Sequence, residues 1–119
     1  MIIILTLSVF RLRESGMKVK FVTNTTKESS RALHRRLTSL GFDVTRDEIF
    51  SCLAAARLLV KERGVRPMLL VDKAAEEEFE GLPHSDGPKN AVLVGLAPKL
   101  MEYSVLNEAF RYMQKIIIQ

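Results

Sequence analysis

The apolar residues of this chain come in runs whose period changes along its length. Apolar and β-branched residues dominate 1–10, interrupted by Thr6 and Ser8. The run reads as a buried strand or as the start of a helix reaching Glu14. Ser15 and Gly16 break it. Residues 17–23 read as a strand with a near-continuous apolar side, the pattern of a parallel sheet covered on both faces. A polar turn, Thr23, Asn24, Thr25 and Thr26, ends that strand abruptly. Thr25 and Glu28 have the spacing of a capping box, so a helix is predicted from about residue 27 to residue 40. Leu33, Leu37 and Leu40 give it a core stripe at i, i+4, i+7, and Gly41 is placed to stop it.

Residues 42–44 are a connector or a brief strand. Thr45 and Glu48 repeat the capping-box spacing, with Ser51 a rival cap for the next helix. That helix runs to Gly64, and its small residues at 54–56 suggest close packing against a neighbour. A strand follows at 65–71, then a helix at 74–80 capped by Asp72, and a loop at 81–90 rich in Gly, Pro, Ser and Asp. Residues 91–94 read as a short strand. The last helix starts near Leu100, with Tyr103, Leu106, Phe110, Met113 and Ile117 predicted to pack inward. The order of elements predicts an α/β fold.

Composition narrows the classes of function. At 119 residues, with 47% hydrophobic and 27% charged positions, the chain fits a soluble globular protein. Trp is absent and aromatics are few, so no stacking platform for nucleic acid is expected. The net charge of +4 is uneven: residues 1–66 carry +7 and residues 67–119 carry −3. A basic first half either faces phosphates or is the solvated side of helices. The ten-residue apolar run falls short of the ~20 needed to cross a bilayer, and Arg11 and Arg13 follow it where a signal peptide would want them ahead. No membrane partner is expected. Cys52 is the single cysteine, which rules out an internal disulfide and fits a reducing compartment, the cytoplasm.

Few residues offer chemistry. His34 and His84 are far apart, with no carboxylate cluster spaced around either, so neither reads as a metal ligand. Cys52 has no nameable base and reads as a buried structural thiol. Glu76, Glu77, Glu78 and Glu80 read as a solvated helix face. No glycine-rich phosphate loop is present. The 23–26 turn is the best candidate, because a strand end feeding a helix N-terminus presents free N–H groups and a positive dipole end to an anion. The other reading of the same residues is a capped helix and nothing more. No acidic residue precedes Glu14, and no Asp precedes Asp43.

The stretch from Arg11 to Gly16 and on through Phe21-Val22-Thr23-Asn24-Thr25-Thr26-Lys27-Glu28-Ser29 resembles the second motif of haloacid dehalogenase-superfamily phosphatases, in the branch with a large α/β cap. Asp47-Glu48-Ile49-Phe50 with Ala54-Ala55-Ala56, Arg66-Pro67-Met68-Leu69-Leu70-Val71-Asp72, and Ala91-Val92-Leu93-Val94-Gly95-Leu96-Ala97-Pro98 are similar to further segments of that branch, in the same order. The resemblance implies a partial Rossmann-like core over residues 1–65, atypical over 1–10, and part of an α/β cap over residues 66–119. It implies that Thr23 hydrogen-bonds the transferring phosphoryl group, that Asn24 contacts phosphate or substrate beside it, and that Thr25 assists. It further implies Mg²⁺ as cofactor and a small phosphorylated substrate.

The nucleophilic Asp-x-Asp pair and the acidic Mg²⁺ motif of such phosphatases have no counterpart here, so no catalytic or metal-binding residue is named. The chain is expected to be truncated at both ends and inactive alone. The alternative is a non-catalytic binding or regulatory piece that forms a homo-oligomer or pairs with a full-length copy. A sheet with missing strands predicts marginal folding or association.

Overall fold

Two short parallel strand pairs organise the chain. A computed structural model describes residues 1–83 and 86–117. In chain order the elements are α1 (Ile2–Glu14), β1 (Phe21–Thr23), α2 (Ser30–Ser39), β2 (Ile49–Ser51), α3 (Cys52–Arg63), β3 (Pro67–Leu70), α4 (Lys73–Glu76), β4 (Ala91–Val94) and α5 (Tyr103–Ile117). Short 3₁₀ turns lie at Arg46–Glu48, Glu77–Phe79 and Pro98–Leu100. β1 pairs with β2, placing Phe21 opposite Ile49, Val22 opposite Phe50 and Thr23 opposite Ser51. β3 pairs with β4 from Pro67 opposite Ala91 to Leu70 opposite Val94. Parallel neighbours cannot be joined by a tight hairpin, and helices fill both crossovers. The fold is α/β, as the order of patterns predicts.

Local caps explain most helix ends. Ser51 Oγ accepts from the Ala54 amide at 3.1 Å and starts α3, and Asp72 Oδ1 accepts from the Ala74 amide at 3.0 Å and starts α4. The Thr45–Glu48 box closes the first 3₁₀ turn, with the Thr45 amide donating to Glu48 Oε2 at 2.8 Å. α3 stops where Gly64 takes φ +60°, a left-handed conformation that costs glycine little.

Two apolar clusters hold these elements. Leu33, Val44 and Ile49 form one, with Phe21, Leu37 and Phe42 against it. Phe21 and Phe42 meet edge to face, centroids 6.0 Å apart. Residues 42–44 are therefore a plug under α2 and not a strand. Leu53, Val60, Val71, Ala75, Phe79 and Leu82 form the other, with Ala56, Val65, Leu69 and Leu93 packed on it. The small residue at 56 does let α3 approach its neighbour.

Several expectations change. Of the two readings of the N-terminal run the helix to Glu14 holds, but none of α1 is buried: its apolar side chains point all round. Thr6 and Ser8 fit such a helix by donating back to the Ile3 and Ile4 carbonyls, at 2.9 and 2.8 Å. Arg13 ties its end to the body through the Asp43 carbonyl at 2.7 Å and Glu48 Oε2 at 2.6 Å. The strand predicted at 17–23 shrinks to three residues and is covered on one face only, leaving Val22 74% exposed and Phe50 half-exposed. Cys52 is exposed rather than buried, because α3 turns Leu53 and Val60 inward from its next positions.

On α5 the covered line is Val105, Ala109 and Tyr112, with small Ala109 buried. Tyr103, Leu106, Phe110 and Met113, expected inward, are exposed, Tyr103 at 82%. Two apolar stripes share this helix, and among the described residues only the one with the small residue is covered. The side chain of Ile117 lies outside the described residues, as does His84.

Leu53 is 1% exposed, so Leu53→Ala should destabilise the chain by about 2–5 kcal/mol. Leu106→Ala should change stability by less than about 0.5 kcal/mol. Urea denaturation of the two variants checks the contrast.

Candidate functional site

The carboxyl ends of the strands bring the candidate residues together. In open α/β sheets this edge takes ligands. Thr23 is the last residue of β1 and stands opposite Ser51, the last residue of β2. Ser51 is buried and spends its hydroxyl on capping α3. Its place beside Thr23 is not legible in the sequence, because Ile49 and Phe50 make a strand too short to show a period of two. The one available signal was an apolar pair leading into a capping serine.

Thr23 is half-buried, and its Oγ1 accepts from the Thr25 amide at 3.3 Å. Thr25 is also half-buried, and its Oγ1 accepts from the Lys27 amide at 3.4 Å. These are long hydrogen bonds, each typical of a hydroxyl bonding to the backbone two residues on. A hydroxyl that accepts in this way keeps its own proton free to donate. Asn24, between them, is exposed, and no hydrogen bond of its side chain is seen among the described residues. The structure thus places Thr23, Asn24 and Thr25 on one turn at the strand edge.

Thr26 turns the other way. Its Oγ1 accepts from the Leu96 amide at 3.0 Å, joining the turn to the loop after β4. That loop comes close because residue 95 is glycine: a Cβ there would meet Val71 Cγ1 at 3.2 Å and Thr26 Cβ at 3.4 Å. The Gly95 amide in turn donates to the Leu70 carbonyl at 2.8 Å. The candidate turn therefore rests on the end of the second strand pair as well as the first.

The helix after the turn begins later than predicted. Ser29, not Thr25, is its cap, accepting from the Ala32 amide at 3.1 Å. Glu28 has no capping role and binds Arg36 instead. Glu77 and Glu78 are not a solvated face. The Glu77 carboxylate accepts from Ser29 Oγ and from Arg31. The two oxygens of Glu78 accept from the Ser30 amide at 2.6 Å and Ser30 Oγ at 3.1 Å. The positive end of α2 is thus neutralised from within the chain, and the anion-binding capacity expected there is confined to the turn before it.

The Ser29 hydroxyl, then the Arg31 guanidinium, hold the Glu77 carboxyl below the usual carboxylate range. Arg57 donates to the Glu78 and Glu80 carbonyls, the latter at 2.9 Å. A cavity of about 290 Å³ lies over this contact, lined by Arg31, Arg46 and Arg57 facing Glu77, Glu78 and Glu80.

His34 joins no site: its Nε2 lies 2.9 Å from the Val44 carbonyl. Among the described residues, no group of three or more His, Cys, Asp or Glu side chains is placed to hold a metal. Among the same residues no helix is long and apolar enough to cross a membrane.

Residues 7–83 match the family model described as haloacid dehalogenase-like hydrolase. The haloacid dehalogenase-like hydrolase domain-containing protein 2 of Bos taurus is 54% identical over 101 residues, covering 85% of this chain and 38% of that protein. The phospholysine phosphohistidine inorganic pyrophosphate phosphatase of Mus musculus is 34% identical over 109 residues, covering 92% and 40%.

Among solved structures, the 4-nitrophenylphosphatase of Thermotoga maritima superposes with a TM-score of 0.78 at 22% identity, covering 90% of this chain and 42% of its own. The chain belongs to the haloacid dehalogenase-like hydrolase family. It spans about two fifths of the length of these relatives.

Gly95→Val should push the Leu96 loop off Thr26 and Val71 and destabilise the chain by about 1–3 kcal/mol. Thermal denaturation reads the loss. Amide chemical shifts at Thr25 and Thr26 should move in the same variant.

Proposed function

We propose that the 23–25 turn is the phosphate-positioning element of a phosphoester hydrolase. In this reading Thr23 donates its hydroxyl proton to a phosphoryl oxygen of a small phosphorylated substrate. The Asn24 carboxamide contacts phosphate or substrate beside it, and Thr25 adds a second hydroxyl. The observation that carries the reading is the state of the two hydroxyls. Each accepts from a backbone amide two residues on, so each is oriented with its proton left over for a ligand. A 54% identical relative of the hydrolase family and a phosphatase among the other relatives support the reaction class.

The donors at the turn suit an anion. Hydroxyl protons, a carboxamide and amide N–H groups complement phosphate oxygens, whereas Mg²⁺ takes carboxylate and water oxygens. No carboxylate hydrogen-bonds Thr23, Asn24 or Thr25 among the described residues, so the residues present do not fit the cation that phosphatases of this kind employ. A covalent route also requires an activated nucleophile, and no general base hydrogen-bonds the Thr23 or Thr25 hydroxyl among the described residues. We therefore read these 119 residues as holding phosphate without turning over an ester by themselves.

The same reading divides the chain into a partial core over residues 1–65 and a partial cap over 66–119. Its support is that each strand pair draws both strands from one side of that boundary. A cytoplasmic setting belongs to the proposal as well and is supported by the single cysteine.

Inorganic phosphate added to the isotope-labelled chain should shift the amide signals of residues 23–25. Thr23→Ala removes one hydrogen bond to a charged oxygen and should weaken that binding about tenfold or more. Hydrolysis of p-nitrophenyl phosphate with Mg²⁺ should stay at background. Turnover that disappears in Thr23→Ala would overturn the non-catalytic part of the reading.

A further inference from the structure

We propose that Glu77 and Glu78 are positioning residues for the 23–25 turn. By seating the first turn of α2 they fix the segment that leads into it. The inference rests on the proposed phosphate-holding role of that turn, and it adds two residues from a distant part of the chain to the same site.

Six residues, 24–29, connect β1 to α2 without belonging to either. Such a segment has no ladder of backbone hydrogen bonds to hold it, so its shape is set by its ends and by side chains. β1 fixes one end. At the other, the Ser29 amide donates to the Ala74 carbonyl at 3.2 Å. Ser29 Oγ and Arg31 donate to Glu77, and the Ser30 amide and hydroxyl donate to the two oxygens of Glu78. Every one of these partners lies in residues 74–78, reached across 46 to 48 positions of sequence for the carboxylate contacts.

The chemistry makes Glu77 more than a surface pair. A serine hydroxyl has one proton. With that proton given to Glu77, a lone pair of Ser29 Oγ is directed at the Ala32 amide, which completes the cap. Glu78 takes the Ser30 amide, the first of the free N–H groups of α2, in a charge-assisted hydrogen bond. Ser29 and Ser30 are both buried, so a donor left unpaired at either costs more than it would at the surface. Arg57 holds the acidic segment in place from α3 by donating to the Glu78 and Glu80 carbonyls.

The clasp is ionic and responds to acid in one direction. The charged groups around Glu77 are Arg31 and Arg35 on α2, Arg46 on the first 3₁₀ turn, Arg57 on α3, and Glu78 and Glu80 on its own segment. Arginine keeps its charge throughout, so the acid response of the clasp rests on Glu77. Glu77 is held below the ordinary carboxylate range. Its contribution is therefore complete above that range and is lost as pH falls through the lower folded value.

The test uses the full, isotope-labelled chain with inorganic phosphate as the probe. Hydrogen exchange is read at the amides of residues 25–27, and phosphate binding at 23–25. In Glu77→Gln with Glu78→Ala, exchange at 25–27 should rise about tenfold and phosphate binding should weaken about tenfold, with α3 and β3 protected as before. In the unaltered chain the protection at 25–27 should fall on acidification. In Glu77→Gln alone, which keeps the shape of the side chain and decides the matter if the double variant does not fold, that acid dependence should be reduced.

Unchanged exchange at 25–27 in a folded double variant overturns the proposal. So does a loss of protection spread evenly over α3 and β3. If phosphate moves no signal at the turn of the unaltered chain, the phosphate-holding role fails, and the exchange arm still decides whether Glu77 and Glu78 position the turn.

Discussion

The segment between β1 and α2 depends on two carboxylates that arrive from the crossover between β3 and β4. Glu77 and Glu78 satisfy the start of α2 and so hold one end of the segment that follows Thr23, whose other end is β1 and whose middle Thr26 ties to Leu96. The uneven charge of the chain takes on a meaning from this contact. Arg31 comes from the basic first half and pairs with Glu77 of the acidic second, while Arg57 reaches across the same boundary to the backbone carbonyls of Glu78 and Glu80. The asymmetry is in part an internal seam between two units. It does not require a polyanion outside the molecule.

The local features were the legible ones. Ser51 and Asp72 cap the helices they precede, Thr45 pairs with Glu48, and Gly41 and Gly64 take the left-handed conformation past a helix end. In each case the deciding groups lie within about four residues, so spacing reveals them. Thr25 and Glu28 had equally good spacing and lost. Ser29 gained Glu77 as an acceptor from 48 residues away, and nothing near Thr25 announces that.

The same division explains α5 and the site. Period alone assigned Tyr103, Leu106, Phe110 and Met113 to the core, whereas the small Ala109 determines which stripe can approach β4 closely. Thr23, Asn24 and Thr25 were readable as a turn at a strand end. That Ser51 stands opposite Thr23, and that Gly95 and Leu96 hold Thr26, depends on pairings between distant segments. Residues 2–10 leave strand and helix both open, and the helix to Glu14 is what forms: β-branched residues favour strands only when a sheet receives them, and here none does.

One consequence of the first strand pair is practical. Cys52 is the only thiol of the chain, it is exposed, and it immediately follows Ser51, the residue opposite Thr23. A maleimide dye would attach at that one place without any engineered residue. The fluorophore would sit at the first position of α3, a neighbour of the turn but no part of it. Ligand arrival, acid opening of the carboxylate clasp and unfolding would each be read optically from a single native handle.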